Sequence, residues 1–205
     1  MEIIGLIGKA GVGKDTVADM IRYFTSPSLR KISDFKQCYF WEFNSSPWKR
    51  IAFADKLKTI CAVLTNTPVK DWYDQSKKSD TIYYDIVSPK AYTRRELMQF
   101  LGTELFRDNF DRYVWINSLF NSCNHTDKII IPDVRFLDEA EEISSRGGTL
   151  IKIERESVNK MDHRSEIELD EIINIDYIIE NNGTEEDLLN SVEAILIDLN
   201  IISYQ

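Results

Sequence analysis

The sequence predicts an α/β fold around a mostly parallel sheet, and three observations carry that expectation. Short apolar runs that suit buried strands alternate with segments of helical period. The first run, EIIGLIG at 2–8, passes through a glycine-rich stretch directly into a helical pattern. The later runs at 127–136, 149–154 and 175–180 are spaced by helix-length segments, as in βαβ units.

In chain order, residues 2–8 are rich in Ile and end in Gly, which fits a buried strand. DTVADMIRYF (15–24) sets Val17, Met20, Ile21 and Phe24 at helical spacing. Residues 25–47 contain two prolines, several serines and the aromatic cluster Tyr39, Phe40, Trp41 and Phe43, and read as a loop with an edge strand. KRIAFA (49–54) reads as a strand and DKLKTICAVL (55–64) as a helix capped by Asp55. Prolines, charges and tyrosines mark 66–92 as an excursion from the core. Residues 93–110 and 111–121 carry helical period. The strand that opens at 127 is expected to end at Pro132, and a helix near 139–148 to close on glycines. TLIKIE (149–154) and IDYIIE (175–180) are the remaining strands. Thr184 caps a final helix whose first turn holds Glu185, Glu186 and Asp187 at its positive end.

The length of 205 residues predicts one domain, 1–205, with an embedded lid, expected in the charged segment 155–170, and a helical region at 66–122 that becomes the expected acceptor-binding part once the motifs below point to a kinase. A net charge of −9 excludes a broad polyanion-binding surface, hence a nucleic-acid polymer as partner, but not a small anion site. Cys38, Cys61 and Cys123 lie far apart without metal-ligand spacing, which fits free thiols in a reducing cytosol. No run approaches the ~20 apolar residues of a spanning helix, and the opening run lacks a basic flank, so a cytoplasmic protein without membrane contact is expected. A homodimer is compatible with the sequence, which sets no oligomeric state.

GLIGKAGVGKDT (5–16) contains G-x-x-x-x-G-K, a phosphate-binding loop pattern, with Asp15 where Ser or Thr is usual. The bare pattern arises by chance in about one chain in twenty of this length. Its place between a strand and a helix makes it a candidate site. Gly8, Gly11 and Gly13, with Ala10 and Val12 between them, let the backbone fold so that successive N–H groups point into one concavity. The helix N-terminus adds partial positive charge, Lys14 a full one, and Thr16 a hydroxyl and an N–H. Asp15 cannot donate; it accepts from Mg²⁺-bound water or binds the metal through oxygen. A carboxylate among phosphates is repulsive without a cation between, so Asp15 points to Mg²⁺ or to a second polar partner. A simple helix-capping role for Asp15 stays open.

No NKxD-type base-reading motif follows, which turns the reading from a GTPase toward a small-molecule kinase. Such a kinase needs a second anion site. Arg94, Arg95, Gln99 and Thr103 recur along one helical segment, and Arg95 and Gln99 share a face. Trp115 offers either a flat stacking surface or core packing. Asp133 stands at a strand's C-terminal end, where open α/β sheets bind ligands, and suits Mg²⁺ through water or an acceptor contact. Arg135 is a fork that grips phosphate bidentately, and Glu139 follows it.

GKAGVGKDT, AFADKLK, RRELMQFLGTELFR with Trp115, IIIPDVRFLDEA, DHRSE and NNGTEEDL occur in this order. Together they resemble the deoxynucleoside monophosphate kinases of tailed bacteriophages, over most of the chain. The resemblance implies a P-loop kinase fold with a five-stranded parallel core and a lid that offers Arg155 or Arg164. It implies transfer of the ATP γ-phosphoryl to a deoxynucleoside 5′-monophosphate. Arg95, Gln99, Gly102, Thr103, Trp115, Asp133, Arg135 and Glu139 would form the acceptor site. Lys14, Asp15, Asp133 and Arg135 would carry catalysis, with Asp15 and Asp133 holding Mg²⁺. Asn182 and Gly183, after the last strand, are expected at the adenine pocket by fold analogy. Val12 departs from the family pattern where Ser is frequent, and Glu96 where a second base follows Arg95. Residues 25–48 and 66–92 match poorly. Two rival readings are a kinase for another phosphorylated acceptor, of phosphomevalonate or dephospho-coenzyme A type, and a nucleotide-binding module without turnover.

Overall fold

Parallel pairing of short Ile-rich runs builds the main sheet. A computed structural model describes residues 1–28, 35, 45–84, 91–156 and 172–203. The strands are β1 (Glu2–Ile7), β2 (Trp48–Arg50), β3 (Thr81–Tyr84), β4 (Ala91–Thr93), β5 (Lys128–Val134), β6 (Thr149–Glu154) and β7 (Tyr177–Glu180). The helices are α1 (Lys14–Thr25), α2 (Ala54–Thr65), α3 (Arg94–Gln99), α4 (Val114–Phe120), α5 (Leu137–Ser145) and α6 (Glu185–Asp198). The chain divides into two compact units, one of residues 1–52 with 123–205 and one of residues 53–122. The expected helical region at 66–122 falls within the second of these units.

In the first unit the strand order is β2-β5-β1-β6-β7, all parallel, which agrees with the five-stranded α/β expectation. Ile4 and Leu6 point to the face covered by α1 and α6, where they join Val17, Met20, Ile21, Leu188, Val192 and Leu196 in one cluster. Ile143 of α5 covers the opposite face, against Gly5 and Gly148. Full burial of one such aliphatic side chain stabilises by about 1.5–3 kcal/mol. The connection from β1 leaves toward β2 and that from β5 toward β6. The carboxyl ends of β1 and β5 are therefore the point where the strand order reverses, the place at which open parallel sheets take ligands.

Several boundaries differ from the sequence expectation. The strand expected over 49–54 is only β2, because the chain leaves the sheet after the Ile51 N–H bonds the Ile130 carbonyl at 3.0 Å. Helix α2 starts at Ala54 with Phe53 as N-cap, so Asp55 lies inside the first turn and does not cap; its carboxylate accepts from the Tyr73 hydroxyl at 2.8 Å. Pro132 does not end β5. It falls where the β1–β5 register shifts, beyond the reach of β2, so its missing N–H costs no ladder bond. Helix α5 ends through the Gly147 and Gly148 amides, which bond Ser144 and Ile143 carbonyls, with Gly147 at φ +73°. The aromatic cluster at 39–43, Cys38, Arg164 and most of the expected lid lie outside the described residues.

In the second unit, β3 and β4 pair antiparallel, and the segment expected as one helix over 93–110 changes geometry midway. Thr93 and Glu96 cap α3 reciprocally, and a π-helical stretch, Phe100–Arg107, follows it. Arg94 is not a ligand-facing cation. It is 7% exposed, its guanidinium donates to Asp80 at 3.0 Å and to the Lys77 carbonyl at 3.2 Å, and it lies over the Trp72 ring. No helix among the described residues is long and apolar enough to cross a membrane.

Candidate active site

The glycine-rich loop is built as its sequence requires. β1 ends at Ile7, and Gly8, Gly11 and Gly13 all take positive φ, at 152°, 86° and 103°. At Gly8 a side chain is excluded outright, because a Cβ would stand 2.5 Å from the Ile153 carbonyl oxygen. Val12 contributes backbone alone; its side chain is buried at 2% exposure in the core beneath the loop. Gly13 is the N-cap of α1, and the Val17 N–H makes the first helical bond, to the Gly13 carbonyl at 3.0 Å. The N–H groups of Lys14, Asp15 and Thr16 precede that bond, at the open start of the helix. With the helix dipole they form an anion-binding start to α1. The Lys14 ammonium folds back over the loop, donating to the Gly8 carbonyl and, at 2.8 Å, to that of Lys9.

Parallel register brings further strand ends to this loop. Ile7 pairs with Val134, which sets Asp133 and Arg135 on either side of the residue level with the loop's start. Both are half-buried. Ile7 also pairs with Lys152, and Glu154 with Glu180, so the residues after β6 and β7 emerge on the same edge. There Asn181, not Asn182, meets the loop: its side-chain amide donates to the Val12 carbonyl at 2.8 Å. Asn182 accepts from the Glu156 N–H at 3.0 Å. Gly183 lies tight against Asp187, whose carboxylate closes the capping box of α6 with Thr184. Arg155 is exposed at the end of β6.

Glu139 has a definite local role. It is 3% exposed, and its Oε2 accepts from the backbone N–H groups of Arg135 at 2.8 Å and Phe136 at 3.1 Å. It therefore satisfies the N-terminus of α5 and fixes the backbone that carries Arg135.

Asp15 is exposed in the first turn of α1 and does not cap it. Its Oδ1 takes a charged hydrogen bond from Nη2 of Arg50, the last residue of β2, at 2.5 Å. Asp19 and Arg22 follow at helical spacing along α1. Burial pushes the Asp19 carboxyl up from its ordinary range, against the pull of Arg50 and Arg22. Burial also lowers the Arg22 guanidinium, while Asp19 raises it.

Within the second unit, Arg95 is exposed and Gln99 half-buried at the end of α3. Gly102 and Thr103 are buried in the π-helical stretch, a geometry found frequently at functional sites. A Cβ on Gly102 would meet Leu57 Cδ2 at 2.7 Å. Trp115 packs rather than standing open: it is 6% exposed, its Nε1 donates to the Gly102 carbonyl at 2.9 Å, and its ring lies edge-on to Phe106.

Sequence reasoning missed Arg50 and Asn181. The available signal was their place at the carboxyl ends of parallel strands, the edge where such sheets bind ligands. For a metal, no group of three or more His, Cys, Asp or Glu gathers among the described residues. Mg²⁺ carried by a nucleotide needs only one or two carboxylates beside the phosphates, and Asp133 fits that demand. One oxygen of Asp15 is engaged by Arg50.

A profile of the family described as "Deoxynucleotide monophosphate kinase" matches residues 47–192. The chain is 34% identical over 241 residues to the deoxynucleotide monophosphate kinase of Enterobacteria phage T4, covering 96% of this chain and 99% of that protein. It is 28% identical over 210 residues to a protein of Acanthamoeba polyphaga mimivirus provisionally given the same name, with 94% of each covered. Over 114 residues, 52% of this chain and 46% of the relative, it is 34% identical to the deoxynucleotide monophosphate kinase of Escherichia phage RB69.

Proposed function

The chain belongs to the deoxynucleotide monophosphate kinase family, and from that premise we propose that it transfers the γ-phosphoryl group of ATP to a deoxynucleoside 5′-monophosphate. The products are the deoxynucleoside diphosphate and ADP. One observation carries the reading beyond family membership. The Ile7–Val134 register sets Asp133 and Arg135 beside the start of the Gly8–Lys14 loop, so a phosphate cradle and a phosphate fork share one sheet edge.

In this reading an oxygen of the acceptor's 5′-phosphate attacks the γ-phosphorus in line. The bond from that phosphorus to the β–γ bridging oxygen breaks, and ADP leaves with the electron pair. The attacking oxygen is ionised at neutral pH, so no strong general base is needed. Positioning and charge neutralisation carry the rate. The loop amides and Lys14 bind the donor's β- and γ-phosphates. Arg135 grips the acceptor's phosphate, with its backbone fixed by Glu139. Arg95, Gln99, Gly102 and Thr103 are assigned to the acceptor on the family pattern, with Trp115 shaping the wall behind Gly102. Arg155, exposed at the end of β6, is assigned to the moving phosphoryl group on the same pattern. Mg²⁺ would supply charge neutralisation for the donor's polyphosphate, and Asp133 is the residue proposed to hold it through water, with Asp15 second.

The test is ADP release from the purified protein with ATP and Mg²⁺, over the four dNMPs, their ribo counterparts, phosphomevalonate and dephospho-coenzyme A. Turnover of one or more dNMPs is expected. Turnover of only a non-nucleotide acceptor, or ATP binding without any product, overturns the reading.

A further inference from the structure

Arg50 enters no sequence motif recognised above, yet it makes a charged contact with the residue that follows the loop lysine. It ends β2, and its Nη2 reaches Oδ1 of Asp15 at 2.5 Å. The two side chains are 37% and 61% exposed. An ion pair this open to solvent contributes little to folding stability. Its placement has a stronger reason. Asp15 stands in the first turn of α1, at the positive end of the helix. A bare carboxylate there would repel a polyphosphate held by the loop amides. The guanidinium from β2 cancels that charge and holds the carboxylate toward the β2 edge.

We propose that Arg50 is a positioning residue for the donor nucleotide, acting through Asp15: it neutralises and orients the carboxylate so that the loop accepts ATP phosphates. This rests on the reading of the Gly8–Lys14 loop as the donor site. Asp19 and Arg22 extend the same charged face one and two turns along α1; burial raises the Asp19 carboxyl, and Arg50 and Arg22 both pull against that rise. Arg50 thus faces two carboxylates of this helix, of which Asp15 is the one that lies at the loop.

The test is a double-mutant cycle of R50Q, D15N and R50Q/D15N. It is read by KM for ATP, KM for the preferred dNMP, kcat, and titration with a fluorescent ATP analogue with and without Mg²⁺. R50Q is expected to weaken ATP binding about tenfold, more without Mg²⁺, while the dNMP KM holds within about threefold. In the D15N background R50Q should change ATP binding less than about twofold, because the charge it compensates is gone. R50K keeps the charge and should remain within about threefold of the wild type. R50M repeats the cycle if R50Q does not fold. Equal effects of R50Q with and without D15N overturn the proposal, as does a rise in dNMP KM alone, which would make Arg50 an acceptor ligand. A fall in melting temperature with unchanged ATP binding would make the pair merely structural and overturns it too. A wild type that binds the analogue but turns over no dNMP removes the kinase reading and leaves the cycle readable by titration.

Discussion

Replacing Gly8 by Ala isolates how tightly the loop is moored to the sheet. The new Cβ would lie 2.5 Å from the Ile153 carbonyl oxygen and 2.8 Å from Val12 Cγ2, with φ at +152°. A carbon and an oxygen in contact stand about 3.3 Å apart, so β1 and β6 must part by about 0.8 Å at this point. The neighbour is backbone, tied by the pairing of Ile7 with Lys152, and cannot rotate away. Backbone strain of about 1–3 kcal/mol and overpacking of a similar size give a loss of about 2–6 kcal/mol. That is a large share of the ~5–15 kcal/mol that holds a domain of this kind folded. Gly11→Ala is the internal control. Its φ is +86° and nothing lies within 4 Å of its Cβ, so only the left-handed penalty of about 1–2 kcal/mol applies. Urea unfolding followed by circular dichroism, with slopes of about 1–3 kcal/mol/M, should place the Gly8→Ala midpoint well below that of Gly11→Ala. Coincident midpoints would refute the claim that contact with Ile153, rather than backbone torsion, makes Gly8 obligatory.

Further outcomes follow from single contacts. Arg135→Ala should raise the acceptor KM or lower kcat while leaving ATP binding unchanged; unchanged acceptor kinetics would remove Arg135 from the site. Asn181→Ala deletes the bond to the Val12 carbonyl, so it should cost about 0.5–1.5 kcal/mol and weaken ATP binding, both read from nucleotide-dependent melting. Thr184→Ala should cost about 0.5–2 kcal/mol, because it removes the acceptor for the Asp187 N–H at the start of α6. The Thr184 hydroxyl and N–H hold the Asp187 carboxyl below its ordinary 3.8, so its stabilisation is full above that value and fades as pH falls through the folded one. The melting-temperature gap between the wild type and Asp187→Asn should therefore close as pH falls below 3.8, and a constant gap would refute the sign. Burial pushes the Cys61 thiol up to about 12, so in a C38S/C123S background no thiol should react with a disulfide reagent at pH 8 until the protein unfolds.

The loop and its helix were legible because they are local. Gly8 through Lys14 must turn sharply, and the apolar spacing of Val17, Met20, Ile21 and Phe24 dictates which face of α1 is buried. The place of Asp133 and Arg135 at the carboxyl end of β5 was legible for a similar reason, since the apolar run before them marks the strand that carries them. Pro132 misled because whether a missing N–H breaks a ladder depends on the neighbouring strands, and here the register has already shifted. For Glu139 and Arg94 the sequence left their protein partners unwritten: one carboxylate oxygen of Glu139 accepts from two backbone amides, and the Arg94 guanidinium donates to Asp80. Trp115 turned inward because a buried indole N–H needs an acceptor and the Gly102 carbonyl supplies one.

The sequence by itself determined the α/β class, the phosphate loop with its obligatory glycines and the caps of the last helix, all set by interactions within a few residues. Only the tertiary structure decided that Arg50 meets Asp15 from 35 residues away and Asn181 meets Val12 from 169 away. The physical reason is that lateral strand order and register arise from burying every apolar face at once. No local period records which two strand ends that burial will bring together.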